Sequence, residues 1–437
     1  MTLEQIVTLA VLIAVIAALV MDRVRADVVA LCGAAILLVS GAVRPVEVQG
    51  AFASPAIIAL ASLFVIAYAM ELSGLLDAAI RRGVALCQRI GEAGIWILLV
   101  ISGVASAFLN NTPMVVMGAP VIRDVSQHLG LSPKRFLIPL SYMAIMGGAC
   151  TLIGTSTNLI VNDMASLAGE PRFTIFEATP VGLIIALVGG IYLLFASRWL
   201  GRVGGDGEGD DGVDTLDTHG PDLHHLQLGS PDMFETRREF NRWKASIAAI
   251  VFLGVIAMAA FNLAPIAAAA FGGAVLLVVL KVISADEAYR GLRPEILMLI
   301  AGMVVLGIAL EKTGLAGEVT EMLVGSLVDL SPFVALVLLY GATLLLTELL
   351  SNATVAVLVT PIAVALAETL GVSPRPFVVA VMMAASAAFA TPFGYQTNTL
   401  VFQMGGYSYM DFVRIGLPLN ILTWAVGAAV IPIFFPF

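Results

Sequence analysis

Four short polar stretches interrupt an otherwise apolar chain, and their residue types suit the holding of ions rather than covalent chemistry. They are Asn110-Asn111-Thr112, Gly154-Thr155-Ser156-Thr157-Asn158, Ser351-Asn352-Ala353-Thr354, and the run from Thr391 and Pro392 through Gly394 to Gln396, Thr397 and Asn398. Amide, hydroxyl and unwound carbonyl oxygens favour a hard cation such as Na+, while free backbone N–H groups at helix starts favour an anion. No Lys or Arg lies in these stretches. An anion held there depends on helix ends, amides, hydroxyls and co-bound cations, which is an electrostatic reason to expect cation coupling. A nucleophile with a base, or a metal cluster, is missing from them too. His128 ends a helical arm, and His219, His224 and His225 lie in a polar stretch elsewhere. The chain is therefore read as not an enzyme and as needing no organic cofactor.

The four stretches form two pairs. Residues 109–136 align without a gap on residues 350–377, and nine of the 28 positions are identical, including Asn111/Asn352, Pro120/Pro361, Gly130/Gly371 and Pro133/Pro374. Gly154 then aligns with Gly394, Thr157 with Thr397 and Asn158 with Asn398. A polar interruption repeated in both halves of a membrane protein points to a transport site.

The elements that must position these groups are membrane helices. With 59% hydrophobic and 12% charged residues and a mean hydropathy of +0.99, the chain has too little charge for a soluble globule. The first apolar run lacks a basic n-region and a cleavage site, so it reads as a membrane helix rather than a signal peptide. Cys32, Cys87 and Cys150 are too few and too scattered for a disulfide framework or zinc site. Five crossings are expected per half, near 5–21, 26–44, 55–72, 134–168 and 176–200, then 244–262, 264–283, 293–311, 374–404 and 413–436. Between the third and fourth of each half come an amphipathic stretch (75–90; 315–330) and two short arms meeting at a polar tip. The tips are residues 110–112 and 351–353, and each pair of arms reads as a re-entrant hairpin. Pro113 suits the start of a helix, where its missing N–H costs nothing, and Asn and Thr can cap the free amides. The fold class is thus all-α integral membrane, an inverted repeat of five transmembrane helices plus one re-entrant hairpin per half.

Charge placement tests that topology. Of the 22 basic residues, only Arg44, Arg172, Lys312 and Arg375 fall on one face of the predicted arrangement. The positive-inside rule makes the other face cytoplasmic, with both termini outside, the first hairpin opening to the cytoplasm and the second to the outside. Residues 1–200 and 244–437 form the two repeats. Residues 201–243, rich in Gly and Asp, are expected to be a disordered cytoplasmic linker that accounts for much of the net charge of −9. That charge gives no reason to expect nucleic acid.

Glu348, three residues before Ser351, is an ionisable group at membrane depth and a candidate coupling acid. It aligns with Ala107, so it stands outside the duplicated site and could instead hold its hairpin together. Asp163 is a weaker candidate of the same kind. Tyr142, Met143 and Met146 read as core.

The tips resemble the paired Ser-Asn-Thr motifs of the divalent anion/sodium symporter family of the ion transporter superfamily. GGACTLIGTSTN (147–158) is similar to that family's glycine-rich broken-helix motif, and residues 390–418 resemble its sulfate-permease branch. The resemblance implies an elevator-type homodimer in lipid. It also implies that Asn110, Asn111, Thr112, Ser351, Asn352, Thr354, Thr391 and Pro392 contact the anion. Sodium is expected on Asn111, Gly154, Thr155, Ser156, Thr157 and Asn158 at one site, and on Asn352, Gly394, Gln396, Thr397 and Asn398 at the other. Asn110 in place of Ser, Ala353 in place of a hydroxyl, and Ser-Thr-Asn (156–158) and Gln-Thr-Asn (396–398) in place of Pro-Pro-Asn favour sulfate over dicarboxylates. The expected function is sodium-coupled symport of a small divalent anion. The alternatives are dicarboxylate symport, proton-coupled carriage through Glu348, and an anion channel, for which no continuous hydrophilic stripe is present.

Overall fold

A computed structural model describes residues 2–21, 24–75, 90–200, 240–261, 263–314 and 331–437. Among these, all regular structure is helical. The first half contains α1 (Leu3–Met21), α2 (Ala26–Val39), α3 (Pro45–Phe52) and α4 (Pro55–Leu72), then α5 (Glu92–Ser106) and α6 (Asn111–His128), which meet at the first tip. The broken helix follows as α7 (Lys134–Ala149) and α8 (Ser156–Leu167), and α9 (Thr179–Leu200) comes last. The second half runs α10 (Arg242–Ala260), α11 (Ile266–Val279), α12 (Ala285–Gly291), α13 (Pro294–Lys312), α14 (Pro332–Leu349), α15 (Asn352–Thr369), α16 (Arg375–Ser386), α17 (Gln396–Gly405) and α18 (Tyr409–Phe434). α2 and α11 begin 240 residues apart, and α6 and α15 begin 241 apart.

The short helices α3 and α12 sit where the sequence reading had connections. Both carry a legible start signal. Pro45 follows the N-cap Arg44, whose backbone N–H donates to Glu47 at 2.8 Å, and Ser284 forms a capping box with Glu287. α12 and α13 bend by 59° at Leu292-Arg293. By length and composition, six helical spans among the described residues can cross a membrane, and α14 and α15 of the second hairpin are two of them. The amphipathic stretches and the linker fall largely outside the described residues.

The helices pack as two groups. In one, α2 lies on α13, α11 lies on α4, and α1, α3, α10 and α12 complete the cluster. In the other, α5 packs on α7, α14 on α16, α9 on α18, and α15 on both α8 and α16. The groups touch mainly where α13 meets α8 and α15, and where α4 meets α8. Small residues allow the closest approaches. A Cβ on Gly147 would lie 2.0 Å from the Gly103 carbonyl oxygen, so α5 and α7 meet backbone to backbone.

The four minority-face cations gather in two places. Glu47 accepts from Arg44 and pairs with Lys312 at 2.6 Å. Arg375 pairs with Glu177 and donates to the carbonyl of Pro171, next to Arg172. Arg172 pairs with Asp163 at 3.1 Å, which gives that acid a structural partner.

Candidate ion-binding site

Both tips use the same local wiring. Asn110 caps α6 by accepting from Thr112 N–H, and Ser351 caps α15 by accepting from Thr354 N–H at 3.2 Å. α6 begins at Asn111, so Pro113 is its third residue rather than its first. The first turn still needs no donor there. Behind each tip, a hydroxyl five residues upstream holds the tip asparagine: Ser106 donates to Asn111 Oδ1 at 2.5 Å, and Thr347 to Asn352 Oδ1 at 2.8 Å. Gly148 has no room for a side chain because a Cβ would fall 2.3 Å from Asn111 Oδ1.

Both breaks are also built alike. Between α7 and α8, Asn158 Nδ2 donates to the carbonyls of Ala149 and Thr151. Between α16 and α17, Asn398 Nδ2 donates to those of Ala388 and Thr391. Thr151 Oγ1 accepts from Gly154 N–H at 3.1 Å, and Thr391 Oγ1 from Gly394 N–H at 3.0 Å. The asparagine amides thus bridge each unwound stretch, which keeps polar backbone tolerable at membrane depth. Thr155, Thr157, Asn158, Thr397 and Asn398 are all buried, Ser156 and Gly394 half-buried, and Gln396 exposed.

The first tip meets the second break. Asn111 Nδ2 donates to the Tyr395 hydroxyl at 2.7 Å, and Thr155 Oγ1 approaches the same hydroxyl at 3.4 Å. Thr112 Oγ1 makes a long contact with Gln396 Oε1, and Ser141 on α7 donates to Asn398 Oδ1 at 2.7 Å and lies 2.8 Å from Thr397 Oγ1. Asn352 has no hydrogen bond to the first break among the described residues. Asn111 is 1% exposed with both amide atoms engaged. The amide nitrogens of Asn110 and Asn352 have no partner among the described residues, so each tip retains a free N–H donor. Asn158 Oδ1 is buried with no hydrogen bond, an unused oxygen in the first break.

Beside the first tip lies a cavity of about 220 Å³. Asn110, Pro113 and Met114 line one side, and Phe64, Tyr68, Glu71 and Arg293 from the other helix group line the opposite side. Arg293 stacks over the Phe64 ring at 6.0 Å. Glu348 accepts from Ala390 N–H and from Asn420 Nδ2 at the second break. The sequence reading found the tips, the breaks and Glu348. It missed Ser106, Thr347, Thr151, Ser141, Tyr395, Asn420 and Arg293. Of these, Ser106/Thr347 and Thr151/Thr391 recur at the repeat offset as hydroxyl pairs and could have been found that way.

A profile of the citrate transporter (CitMHS) family matches residues 16–371. The chain belongs to this family. Relatives span nearly all of the chain: the uncharacterized transporter sll0640 of Synechocystis is 27% identical over 98% of the chain and 97% of its own length. The uncharacterized transporter YfbS of Escherichia coli is 24% identical over 95% of the chain and 96% of its own length. The probable sodium/sulfate cotransporter 3 of Chlamydomonas reinhardtii is 41% identical over 104 residues, covering 22% of the chain and 12% of that protein. In fold, the chain is similar to the crystal structure of the Alcanivorax borkumensis YdaH transporter, with a TM-score of 0.60 over 89% of the chain and 88% of YdaH at 15% identity. The chain is a membrane transporter of the citrate transporter family, within the ion transporter superfamily.

Proposed function

We propose that this transporter is a sodium-coupled symporter of a small divalent oxyanion, sulfate foremost, working by an elevator movement. The observation that carries the reading is the twice-repeated wiring of tip and break, which leaves N–H donors at both tips and an unused oxygen in the first break. Donors suit an anion that stays fully deprotonated, and oxygens suit sodium. Sodium on Asn111, Gly154, Thr155, Ser156, Thr157 and Asn158, and on Asn352, Gly394, Gln396, Thr397 and Asn398, would supply positive charge that the tips themselves lack. Asn110, Thr112, Ser351, Asn352, Thr354, Thr391 and Pro392 surround the anion in this reading. Arg293 at the cavity edge draws anions toward the first tip.

The division into two helix groups with a narrow contact supports a scaffold (α1–α4, α10–α13) and a moving body that carries both sites. We place the second half upside down relative to the first, both termini outside, and two copies in the assembly. The pairing of Arg44 with Lys312 around Glu47, and of Arg172 with Arg375 near Glu177, is consistent with one minority face. Carboxylate transport is the second reading, favoured by the family's citrate description.

The test is uptake of radiolabelled sulfate into proteoliposomes with and without an inward sodium gradient, with succinate and citrate as competitors. Sodium-driven sulfate uptake unaffected by either competitor is expected. Uptake blocked by citrate or succinate moves the assignment to carboxylates, and uptake indifferent to sodium removes the sodium sites.

A further inference from the structure

The cavity of about 220 Å³ beside the first tip lies between the two helix groups, and we infer that it is an inhibitory site for a small amphipathic carboxylate, which arrests transport by holding the groups apart. It stands on the other side of α6 from the two breaks. Asn111 and Thr112 turn toward Tyr395 and Gln396 of the second break, whereas Asn110, Pro113 and Met114 turn toward Phe64, Tyr68 and Arg293. A ligand in the cavity therefore need not touch Asn111 or either break.

The lining has an apolar part and an anion-binding part. Phe64, Leu109, Pro113 and Met114 supply carbon surface, which a hydrated oxyanion such as sulfate cannot use and an apolar body can. Arg293 supplies charge. Its guanidinium stacks over the Phe64 ring at 6.0 Å and forms no hydrogen bond or ion pair among the described residues. Its edge donors are therefore available to a carboxylate, whose two oxygens they match. Across the cavity, Asn110 Nδ2 is a further donor without a partner among the described residues. Glu71 also lines the cavity and, like Glu295, lies within electrostatic reach of Arg293. Neither acid takes up the guanidinium's hydrogen bonds, and Glu71 has a partner of its own. Pockets for drug-sized ligands measure about 300–1,000 Å³. The occupant is accordingly smaller, one carboxylate on a short chain or a single ring.

The second half shows the same place closed. α4 and α13 correspond, since each begins with proline after a short capped helix, α3 or α12. The second tip's helix α15 packs directly on α13. The first tip's helix α6 is held off α4 by the cavity. Bringing α6 onto α4, as α15 lies on α13, requires the cavity to empty. A molecule with its head on Arg293 in one group and its body against Pro113 and Met114 in the other opposes that step. The arrest rests on the reading of the two groups as scaffold and moving body; the binding site does not.

The probe is 3-phenylpropionate, with 3-phenylpropanol as the same body without the charge. Binding is read without transport by saturation-transfer NMR on the purified protein in detergent, against empty micelles. Transfer to the carboxylate and not to the alcohol is expected. It should vanish in Ala67→Leu, which fills the cavity from α4, and Arg293→Gln should weaken binding by about tenfold or more. No transfer in the wild type, equal transfer to the alcohol, or transfer undiminished in both variants overturns the site. In proteoliposomes, the carboxylate should lower the maximal rate of sulfate uptake by about half at the concentration that half-saturates the NMR signal, and excess sulfate should not restore it. Ala67→Leu should keep wild-type uptake and lose the inhibition. Inhibition relieved by excess sulfate places the carboxylate in the carried anion's own site, and binding without inhibition frees the movement from the cavity; either overturns the arrest. If the wild type carries no sulfate, the anion assignment fails while the NMR measurement still decides the cavity site.

Discussion

The two breaks share a plan and differ in how they are finished. In the first, backbone and small side chains close the structure: Ala107 offers a carbonyl, Thr155 caps α8 by accepting from Thr157 N–H, and Asn158 Oδ1 is left bare. In the second, larger polar groups fill the equivalent places. Glu348 replaces the alanine, Tyr395 replaces the threonine and reaches the first tip, and Ser141 satisfies Asn398 Oδ1. The first break is thus short of hydrogen-bond donors, and the second is cross-linked and carries a carboxylate. The two breaks keep one architecture and differ in these side chains.

Several substitutions bear on that difference. The largest effect is expected where the copies agree: Asn111→Ala and Asn352→Ala should each lower sulfate uptake by about 100-fold or more in proteoliposomes while the protein remains folded by size-exclusion chromatography. Normal uptake in both would remove the paired site altogether. Glycine replacements should then separate the breaks. A Cβ on Gly154 would meet the Gly148 carbonyl oxygen at 2.4 Å and that of Ala107 at 2.7 Å, whereas one on Gly394 meets side-chain atoms at 2.9 Å. Gly154→Ala is expected to destabilise by about 1–3 kcal/mol and Gly394→Ala by less, seen as unequal losses of thermal unfolding temperature in detergent. Equal losses would show that the two breaks are packed alike.

The cross-link comes next. Tyr395→Phe removes one hydroxyl, leaves Asn111 Nδ2 without a partner, and should cost about 1–3 kcal/mol. Thr155→Val, its counterpart, removes a longer contact and a cap and should cost about 1 kcal/mol; chemical denaturation of the two variants reads the contrast. The smallest effect is expected at the cavity edge, where Arg293→Gln should raise the apparent KM for the anion by a few-fold without changing the maximal rate, more at low salt than at high. A fall in maximal rate alone would place Arg293 in the moving step instead.

Much of this site was readable from the chain because Asn, Gly and Pro punctuate helices by backbone chemistry that acts over a few residues. The tips and both breaks follow from such local signals. Tyr395, Ser141 and Asn420 did not, since each matters through a partner far away in sequence, and nothing in Tyr395 itself predicts that it reaches Asn111. Helices α3 and α12 were missed for another reason. They are only 8 and 7 residues long, too short for a periodic apolar face, yet their capping residues announce them. The hairpin arms were foreseen, and in the second half α14 and α15 each run 18 residues.

Because the Tyr395 hydroxyl lies 284 residues downstream of the Asn111 amide it receives, the first tip cannot be finished when its own hairpin leaves the ribosome. It must wait, half-made in the bilayer, until nine-tenths of the chain has been synthesised. During biogenesis this leaves a polar tip that other inserting helices or a chaperone must tolerate. It also means that a severed first half, though it holds a complete hairpin and break, would lack the group that closes its tip.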